Sequence, residues 1–183
     1  MGYCSISEAD SVEAAMVIIR KAKLRDVPQL IEIINNFARK KILLPRTSSD
    51  MCERIREMTV AEEKDVIVGC AALHFYGSET AEIRSLAILP TTQRRGLGQK
   101  LTECLLKEAA EQELKCVFAL TLIPEYFARL GFTEVSRETL PMKVWRDCIH
   151  CEKYFQCDEK AVVHFLDENK YTEIDGNQTL VKV

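Results

Sequence analysis

Residues 81–109 read AEIRSLAILPTTQRRGLGQKLTECLLKEA, and the spacing of their apolar residues changes halfway along. Up to Pro90 the apolar residues are nearly continuous, which predicts a buried strand over 81–89. Beyond Gly96 they recur every three or four residues, which predicts an amphipathic helix over 96–112. The stretch therefore predicts a strand, a glycine-containing turn and a helix in direct succession.

Gly96 and Gly98 stand where this helix begins, directly behind Arg94 and Arg95. The first N–H groups of a helix have no partner within it and carry a partial positive charge, so they bind anions. Glycine lets a phosphate approach the main chain closely, and arginine adds positive charge. On its own, however, such a glycine pair is more typical of an ordinary strand–helix turn with two exposed arginines, and an anion site is the alternative. It is not a P-loop, and Leu101 replaces the third glycine of a dinucleotide fingerprint.

Strands and helices alternate along the rest of the chain, which predicts a layered α/β or α+β domain. Apolar and β-branched runs predict strands at 15–21, 59–62, 66–76, 116–121, 132–135 and 161–166. Helical spacing predicts one helix after Asp26 as N-cap, a second from Ser49 to about Met58, and a third over 124–130 with Gly131 beyond its end.

The composition narrows the class of protein. A chain of 183 residues that is 47% apolar can fill the core of one domain. Its net charge of −3 argues against nucleic acid as the main partner. No apolar run reaches the roughly 18 residues that span a membrane. The N-terminus lacks the basic and apolar regions of an export signal, so we expect a cytoplasmic protein.

The chain contains eight cysteines. Without an export signal they are expected to be reduced thiols rather than a disulfide framework. Cys70, Cys104 and Cys116 fall inside apolar patterns, which predicts small core residues.

The strand–turn–helix stretch resembles the acetyl-coenzyme A signature R/Q-x-x-G-x-G/A of the GNAT acetyltransferase superfamily, with Gln93, Gly96 and Gly98 at its fixed positions. The resemblance implies the GNAT fold: a mixed, mostly antiparallel central sheet with helices on both faces. It also implies acetyl-coenzyme A as co-substrate, with main-chain N–H groups near the end of the strand holding the thioester carbonyl. The implied cofactor-binding residues are Leu86, Ala87, Ile88, Gln93, Arg94, Arg95, Gly96, Leu97, Gly98, Gln99 and Lys100.

Four segments resemble the short, single-domain form of N-acetylglutamate synthase: ILLPRTS at 42–48, AEIRSLAI at 81–88, FALTLIPEYFARLGF at 118–132, and a cysteine-bearing stretch at 140–162. This resemblance implies transfer of acetyl to the α-amine of L-glutamate, the first step of arginine biosynthesis. The acetyltransferase domain would span 16–166 with a cysteine-bearing hairpin at 147–158. Segments 1–15 and 167–183 would be a flexible N-terminal segment and a C-terminal tail, and the fold suggests a homodimer.

Three residues are candidates for the chemistry. Glu82 matches the family's strand glutamate and is the candidate base, directly or through water; the alternative is a solvated carboxylate at a strand edge. Thr121 ends a strand and is a candidate donor to the leaving thiolate; the alternative is a hydroxyl bonded to the main chain. Many GNAT members place a tyrosine where Phe127 stands, so the adjacent Tyr126 is a further candidate, or only a packing residue.

Glutamate carries two carboxylates, for which arginine is the better bidentate partner. Arg46 of the LLPR element is the first candidate for a substrate carboxylate, and the alternative is an exposed loop arginine. Lys143 and Arg146 are further candidates, and the alternative is an ordinary strand with snorkelling cations.

Cys148, Cys151 and Cys157, with His150 and His164 nearby, also fit part of a zinc pattern. A structural zinc site takes four ligands, and only one C-x2-C pair is present. We therefore prefer a reduced hairpin without metal and keep zinc, or a redox C-x-x-C, as alternatives.

Other functions remain open on the sequence. The same fold serves enzymes that acetylate another amino acid, a polyamine or a protein N-terminus. A catalytically silent acetyl-coenzyme A module and a zinc-hairpin adaptor are alternatives from other classes. An acidic acceptor requires a cation such as Arg46, whereas a polyamine requires carboxylates in the same place.

Overall fold

The computed structural model describes residues 16–140, 148–149, 151 and 153–166, so the predicted segments 1–15 and 167–183 lie outside it. Its strands form a seven-stranded sheet of order β1-β2-β3-β4-β5-β7-β6. The strands are β1 Val17–Lys21, β2 Met58–Glu63, β3 Val66–Phe75, β4 Thr80–Ile88, β5 Cys116–Thr121, β6 Thr133–Val135 and β7 Lys160–Phe165. The helices are α1 Val27–Ala38, α2 Ser48–Glu53, α3 Leu97–Glu111 and α4 Pro124–Ala128.

The sheet is mixed, as predicted. Strands β1 and β2, β2 and β3, β5 and β7, and β6 and β7 pair antiparallel. Strands β4 and β5 pair in parallel, in a short ladder that joins Thr80 to Cys116, Ala81 to Val117 and Glu82 to Phe118. The predicted α/β fold class is confirmed.

The chain divides into two compact units. Of the described residues, the first unit comprises 16–73 and Ser85–Leu105, and the second comprises His74–Arg84 and those that follow Leu105. Strands β3 and β4 and helix α3 contribute residues to both units.

In the core of the first unit, the apolar face of α1 packs with the inner residues of β2 and β3. The helical spacing predicted this face because its residues recur every three or four positions. The buried members include Val27, Leu30, Ile33, Ile34, Met51, Met58, Val60, Ile67, Cys70 and Ala87.

Asp26 occupies the predicted N-cap position of α1, but its side chain does not cap that helix. The carboxylate instead accepts the N–H of Lys23 at 2.7 Å and binds the guanidinium of Arg20, which also contacts Glu62. Arg20 holds the pKa of the Asp26 carboxyl below its usual range. The acid therefore joins β1 to the turn before α1.

Helix α2 differs from the prediction at both ends. Thr47 rather than Ser49 is the N-cap, and its hydroxyl accepts the N–H of Asp50 at 3.2 Å. The helix ends at Glu53 instead of continuing to Met58. Met58 starts β2, where pairing with β1 and β3 outweighs the helical preference of the preceding residues.

The core of the second unit lies around β5, where Cys116, Phe118, Leu140, Ala161 and Val163 pack together. The strand prediction for 116–121 is confirmed at both ends. Among the residues that the structure describes, no helix has both the length and the apolar character needed to cross a membrane.

Helix α4 ends at Ala128, two residues before its predicted end, and Gly131 follows with φ at +82°. The N–H of Phe132 returns to the carbonyl of Phe127 at 3.2 Å, which closes the helix in the left-handed manner that favours glycine. A Cβ at Gly131 would also lie 3.2 Å from the ring of His164.

Candidate active site

The turn between β4 and α3 is tied to the sheet by its own side chains. The hydroxyl of Thr92 lies 3.3 Å from the carbonyl oxygen of Val68, which also accepts the N–H of Leu89 at 2.9 Å. The side-chain amide of Gln93 donates to the carbonyl of Ile88 at 3.1 Å. Gln93, the first fixed residue of the signature, therefore serves to hold the main chain of the turn.

The turn leaves its main chain open at the start of α3. Arg94 and Gly96 have φ values of +64° and +74°. The N–H of Lys100 donates to the carbonyl of Gly96 at 3.0 Å, so the α-helical bonds begin there and the preceding N–H groups have no partner inside the helix. A Cβ added at Gly96 would meet no heavy atom within 4 Å. This geometry suits an anion held by main-chain N–H groups.

The two arginines of the turn differ. Arg95 forms a bidentate ion pair with Glu63 at the end of β2, with N–O distances of 3.1 and 2.7 Å. The hydrogen bond raises the pKa of Arg95 and lowers the pKa of Glu63. Much of the positive charge of Arg95 is thus offset by a carboxylate that sequence analysis did not anticipate. Among the described residues, no carboxylate forms a corresponding ion pair with Arg94.

The end of β4 departs from a regular strand. Ser85 has φ of +53°, a left-handed value that interrupts the pleat just before Leu86–Ile88. Opposite this segment, a Cβ at Gly69 would lie 2.5 Å from the Cδ1 atom of Ile88 and 3.2 Å from the Ala87 carbonyl oxygen. Gly69 therefore permits a close approach of β3 to the predicted thioester-binding segment. A single glycine inside a β-branched run was the available sequence signal.

Glu82 is buried, with 8% of its surface exposed, on a strand in the interior of the sheet. The alternative of a solvated strand-edge carboxylate is wrong. The Oε2 atom accepts the hydroxyl of Tyr76 at 2.9 Å, and the Nη1 atom of Arg84 lies 3.9 Å from the same oxygen. Tyr76 was missed by sequence analysis because its role depends on the register of the hairpin between β3 and β4.

Thr121 is also buried, at 6% exposure. Its hydroxyl oxygen accepts the N–H of Ile123 at 3.0 Å, as the main-chain alternative predicted. A hydroxyl has one proton and two lone pairs, so this bond leaves the proton of Thr121 available for donation. The geometry is compatible with both interpretations of this residue.

Tyr126 packs edge-on against Phe127, with ring centroids 5.0 Å apart. Phe127 is 4% exposed and in turn packs against Phe132. Phe127 is therefore a core residue, and its packing fixes the ring beside it.

The LLPR loop holds Arg46 through both its main chain and its side chain. Asn35 donates to the Arg46 carbonyl at 3.0 Å and accepts the Arg46 N–H at 2.9 Å. The guanidinium lies 3.2 Å from Asp50, which also binds Arg54 at 2.8 Å. Only 13% of the Arg46 side chain is exposed, so the alternative of an exposed loop arginine is wrong.

Two further sequence candidates for the substrate carboxylates, Lys143 and Arg146, lie outside the described residues. So does His150, one of the ligands of the zinc alternative. The ring of His164 is engaged by the carbonyl oxygen of Gly131 at 3.1 Å. Within residues 16–140, 148–149, 151 and 153–166, no group of three or more histidine, cysteine or acidic side chains is placed to hold a metal.

The Cys148 thiol interacts electrostatically with Glu82. Burial, helped by the charges of Glu159 and Glu82, raises the pKa of the Cys148 thiol to about 11. Burial likewise raises the pKa of Glu159, whose carboxylate accepts the thiol of Cys157 at 3.8 Å. A thiol with so high a pKa is protonated at neutral pH and is therefore a poor nucleophile.

The sequence of this chain is similar to those of known proteins. Residues 54–134 match the acetyltransferase (GNAT) domain family. An uncharacterized N-acetyltransferase of Chlorobaculum tepidum is 39% identical over 153 residues, which cover 84% of this chain and 99% of that protein. An amino-acid acetyltransferase of Mycobacterium tuberculosis is 35% identical over 153 residues, covering 82% of this chain and 84% of that protein.

A solved structure shares the fold as well. N-acetylglutamate synthase from Neisseria gonorrhoeae, complexed with coenzyme A and N-acetyl-glutamate, aligns with a TM-score of 0.75 at 29% identity. The alignment covers 84% of this chain and 36% of that chain. The sheet, the glycine turn at the start of α3 and these relatives lead to one conclusion: the chain belongs to the GNAT family of acetyltransferases.

Proposed function

We propose that the protein transfers the acetyl group of acetyl-coenzyme A to the α-amine of L-glutamate. The observation that carries the proposal is the open, left-handed turn at Gly96 in a chain that is 35% identical to an amino-acid acetyltransferase. The product would be N-acetylglutamate, which would place the enzyme at the start of arginine biosynthesis.

The turn would hold the diphosphate of the coenzyme. The N–H groups that precede the first helical bond of α3 provide donors, and the helix dipole favours negative charge there. Gln93 would act indirectly, by holding the turn against β4. Arg94 would contribute most of the side-chain charge, because Arg95 is paired with Glu63. The predicted contacts of Leu97, Gln99 and Lys100 follow from their place in the first turn of α3.

The reaction needs a base, an oxyanion donor and an acid. The α-ammonium of an amino acid is protonated at neutral pH and must lose a proton before its nitrogen attacks the thioester. Glu82 would accept that proton. Main-chain N–H groups of Leu86–Ile88 would hold the developing oxyanion. The hydroxyl of Thr121 would donate a proton to the departing thiolate, with Tyr126 as the second candidate for this step.

Arg46 would bind a carboxylate of glutamate. Asp50 and Asn35 align its side chain and main chain, so little conformational freedom is left to lose when a carboxylate binds. Lys143 and Arg146 are proposed for the other carboxylate. This arrangement favours an acidic acceptor over a polyamine, which would repel these cations.

An acceptor screen tests the proposal. Free thiol released from acetyl-coenzyme A is measured with glutamate, aspartate, glutamine, lysine and a polyamine. We expect glutamate to have the highest kcat/KM. Background release with all four amino acids would refute amino-acid acetylation, and preference for the polyamine would favour that alternative.

The matched pair Arg46→Ala and Arg54→Ala tests the carboxylate assignment, because both arginines bind Asp50. Loss of one charged hydrogen-bonding partner costs about 1.5–3 kcal/mol, so Arg46→Ala should raise the KM for glutamate about tenfold or more. The KM for acetyl-coenzyme A should change little. Arg54→Ala should leave both constants near their original values, and an equal rise in both constants for Arg46→Ala would disprove the assignment.

A further inference from the structure

Tyr76 is brought to Glu82 by the hairpin that joins β3 to β4. The N–H of Tyr76 donates to the carbonyl of Thr80 at 2.9 Å, which closes the hairpin. Two residues into β4, Glu82 then faces back towards the tyrosine, and the phenol donates to Oε2 at 2.9 Å. A carboxylate has no proton to give, so the phenol is the donor in this bond.

The tyrosine ring is held on two sides. Its centroid lies 5.5 Å from that of Phe118, with the planes tilted by 37°. The ring of His74 approaches edge-on with centroids 4.8 Å apart. Phe118 is fully buried and is also the partner of Glu82 in the β4–β5 ladder. The same aromatic residue thus packs against the ring of Tyr76 and pairs with Glu82 in the sheet.

Other titratable groups face this carboxylate from the elements around it. Arg84, two residues along β4, places Nη1 at 3.9 Å, the outer range of an ion pair. The charge of Glu82 contributes, after burial and the charge of Glu159, to the raised pKa of the Cys148 thiol, and His74 stands beside Tyr76. The Tyr76 hydroxyl, at 2.9 Å from Oε2, is closer to this oxygen than the Arg84 guanidinium at 3.9 Å.

We propose that Tyr76 is a positioning residue for acetyl transfer, whose hydroxyl keeps the Glu82 carboxylate ionised and orients it for the amine of the acceptor. The inference rests on the proposed function, in which Glu82 takes a proton. A hydrogen bond donated to a carboxylate favours its charged form. Only the charged form can act as base, so the phenol keeps Glu82 active at lower pH. Tyr76 retains its own proton, and the proton taken from the acceptor resides on Glu82 until water removes it.

The first test follows the ionisation of Glu82 without any substrate. Protein carrying 13C-labelled glutamate side chains is titrated by NMR, and Glu82→Gln identifies the signal of Glu82. In Tyr76→Phe the ring remains and the hydroxyl is lost, so the midpoint of the Glu82 signal should move up by about one pH unit. Tyr154→Phe, at an exposed tyrosine, should leave that midpoint in place. Phe118→Leu should lower the melting temperature while causing a smaller shift of the midpoint. An unchanged midpoint in Tyr76→Phe overturns the inference.

The second test follows the reaction. In the pH profile of kcat/KM, the acid limb is the range where activity rises as the base loses its proton. In Tyr76→Phe this limb should move to higher pH by the same amount as the NMR midpoint of Glu82. The KM for acetyl-coenzyme A should stay constant. Glu82→Gln should abolish the limb and reduce kcat by about 100-fold or more.

The outcomes separate the two proposals. If wild-type protein does not acetylate glutamate, the proposed function fails, and the NMR titration still decides whether Tyr76 controls Glu82. Suppose instead that glutamate is acetylated and that the acid limb of Tyr76→Phe stays at the wild-type pH, whatever the absolute value of kcat/KM. The role of Tyr76 is then refuted, and the proposed function stands.

Discussion

The coenzyme turn and the buried carboxylate differ in which atoms are expected to act. In the turn, Gln93–Gly96 are exposed, and a Cβ at Gly96 would face open space. The main chain of the turn is held to β4 by the hydrogen bond from the Gln93 side chain to the Ile88 carbonyl. In the second region the Glu82 carboxylate is buried and accepts a hydrogen bond from the half-buried Tyr76. The turn therefore depends on backbone conformation, whereas the carboxylate region depends on individual side-chain atoms.

This difference predicts opposite sensitivities. In a site made of main-chain N–H groups, side chains can vary as long as φ and ψ are kept. In a buried site, removal of one hydroxyl changes both the chemistry and the hydrogen bonds around it. Conservative substitutions in the two regions test whether activity and stability are more sensitive to side-chain changes in the buried region than in the turn.

Apart from Glu82→Gln, the largest effect is expected at Thr121. In Thr121→Val the proton donor is lost, so kcat should fall about tenfold to a hundredfold. The N–H of Ile123 also loses its acceptor, which should lower the free energy of unfolding by about 1–3 kcal/mol. Steady-state kinetics and urea unfolding measure the two effects separately.

Thr121→Ser is the matched control because it keeps the hydroxyl and should retain most of both quantities. If Thr121→Val is destabilised while its kcat is unchanged, the hydroxyl serves only the main chain at the end of β5. The contrast between the two regions would then rest on Glu82 alone.

The sequence predicted the turn well because every part of it is local. The strand, the two glycines and the helix lie within residues 81–109, and glycine in a strand-to-helix turn has a direct meaning for backbone conformation. Residues 116–121 were likewise predicted as a strand because they form a continuous apolar run. Local sequence was also sufficient to identify Gly131 as the glycine of the turn after α4, although the helix ends two residues earlier than predicted.

The partners of the charged residues could not be predicted in the same way. Arg95 and Glu63 are 32 residues apart, and their ion pair depends on how the end of β2 meets the turn. Tyr76 and Glu82 are only six residues apart, but their contact requires the register of the hairpin. The sequence left open whether Glu82 was buried, because burial of a strand residue depends on which strands lie beside it.

An intermediate effect is expected for Gly96→Ala. Alanine at φ of +74° costs about 1–2 kcal/mol, so the turn should relax away from the geometry that suits a diphosphate. The KM for acetyl-coenzyme A should rise by about fivefold to tenfold while kcat stays near its original value. Calorimetric titration with coenzyme A measures the loss of affinity directly.

Gly77→Ala is the control for space. A Cβ at Gly77 also meets no heavy atom within 4 Å, but this glycine does not have the left-handed φ of Gly96. The affinity of the Gly77→Ala variant for coenzyme A should remain unchanged. Equal losses in both variants would mean that backbone conformation at Gly96 is not what the turn requires.

The smallest effect is expected from the two arginines of the turn. A single exposed charge contributes about 0.2–1 kcal/mol, so Arg94→Gln should raise the KM for acetyl-coenzyme A by about twofold to fivefold at low salt. Arg95→Gln should change it less, because Glu63 already offsets the charge of Arg95. Glu63→Gln should release that arginine and lower the KM slightly. If Arg95→Gln has the larger effect, the ion pair must open when the coenzyme binds, and the turn would then depend on a side chain as strongly as the buried site does.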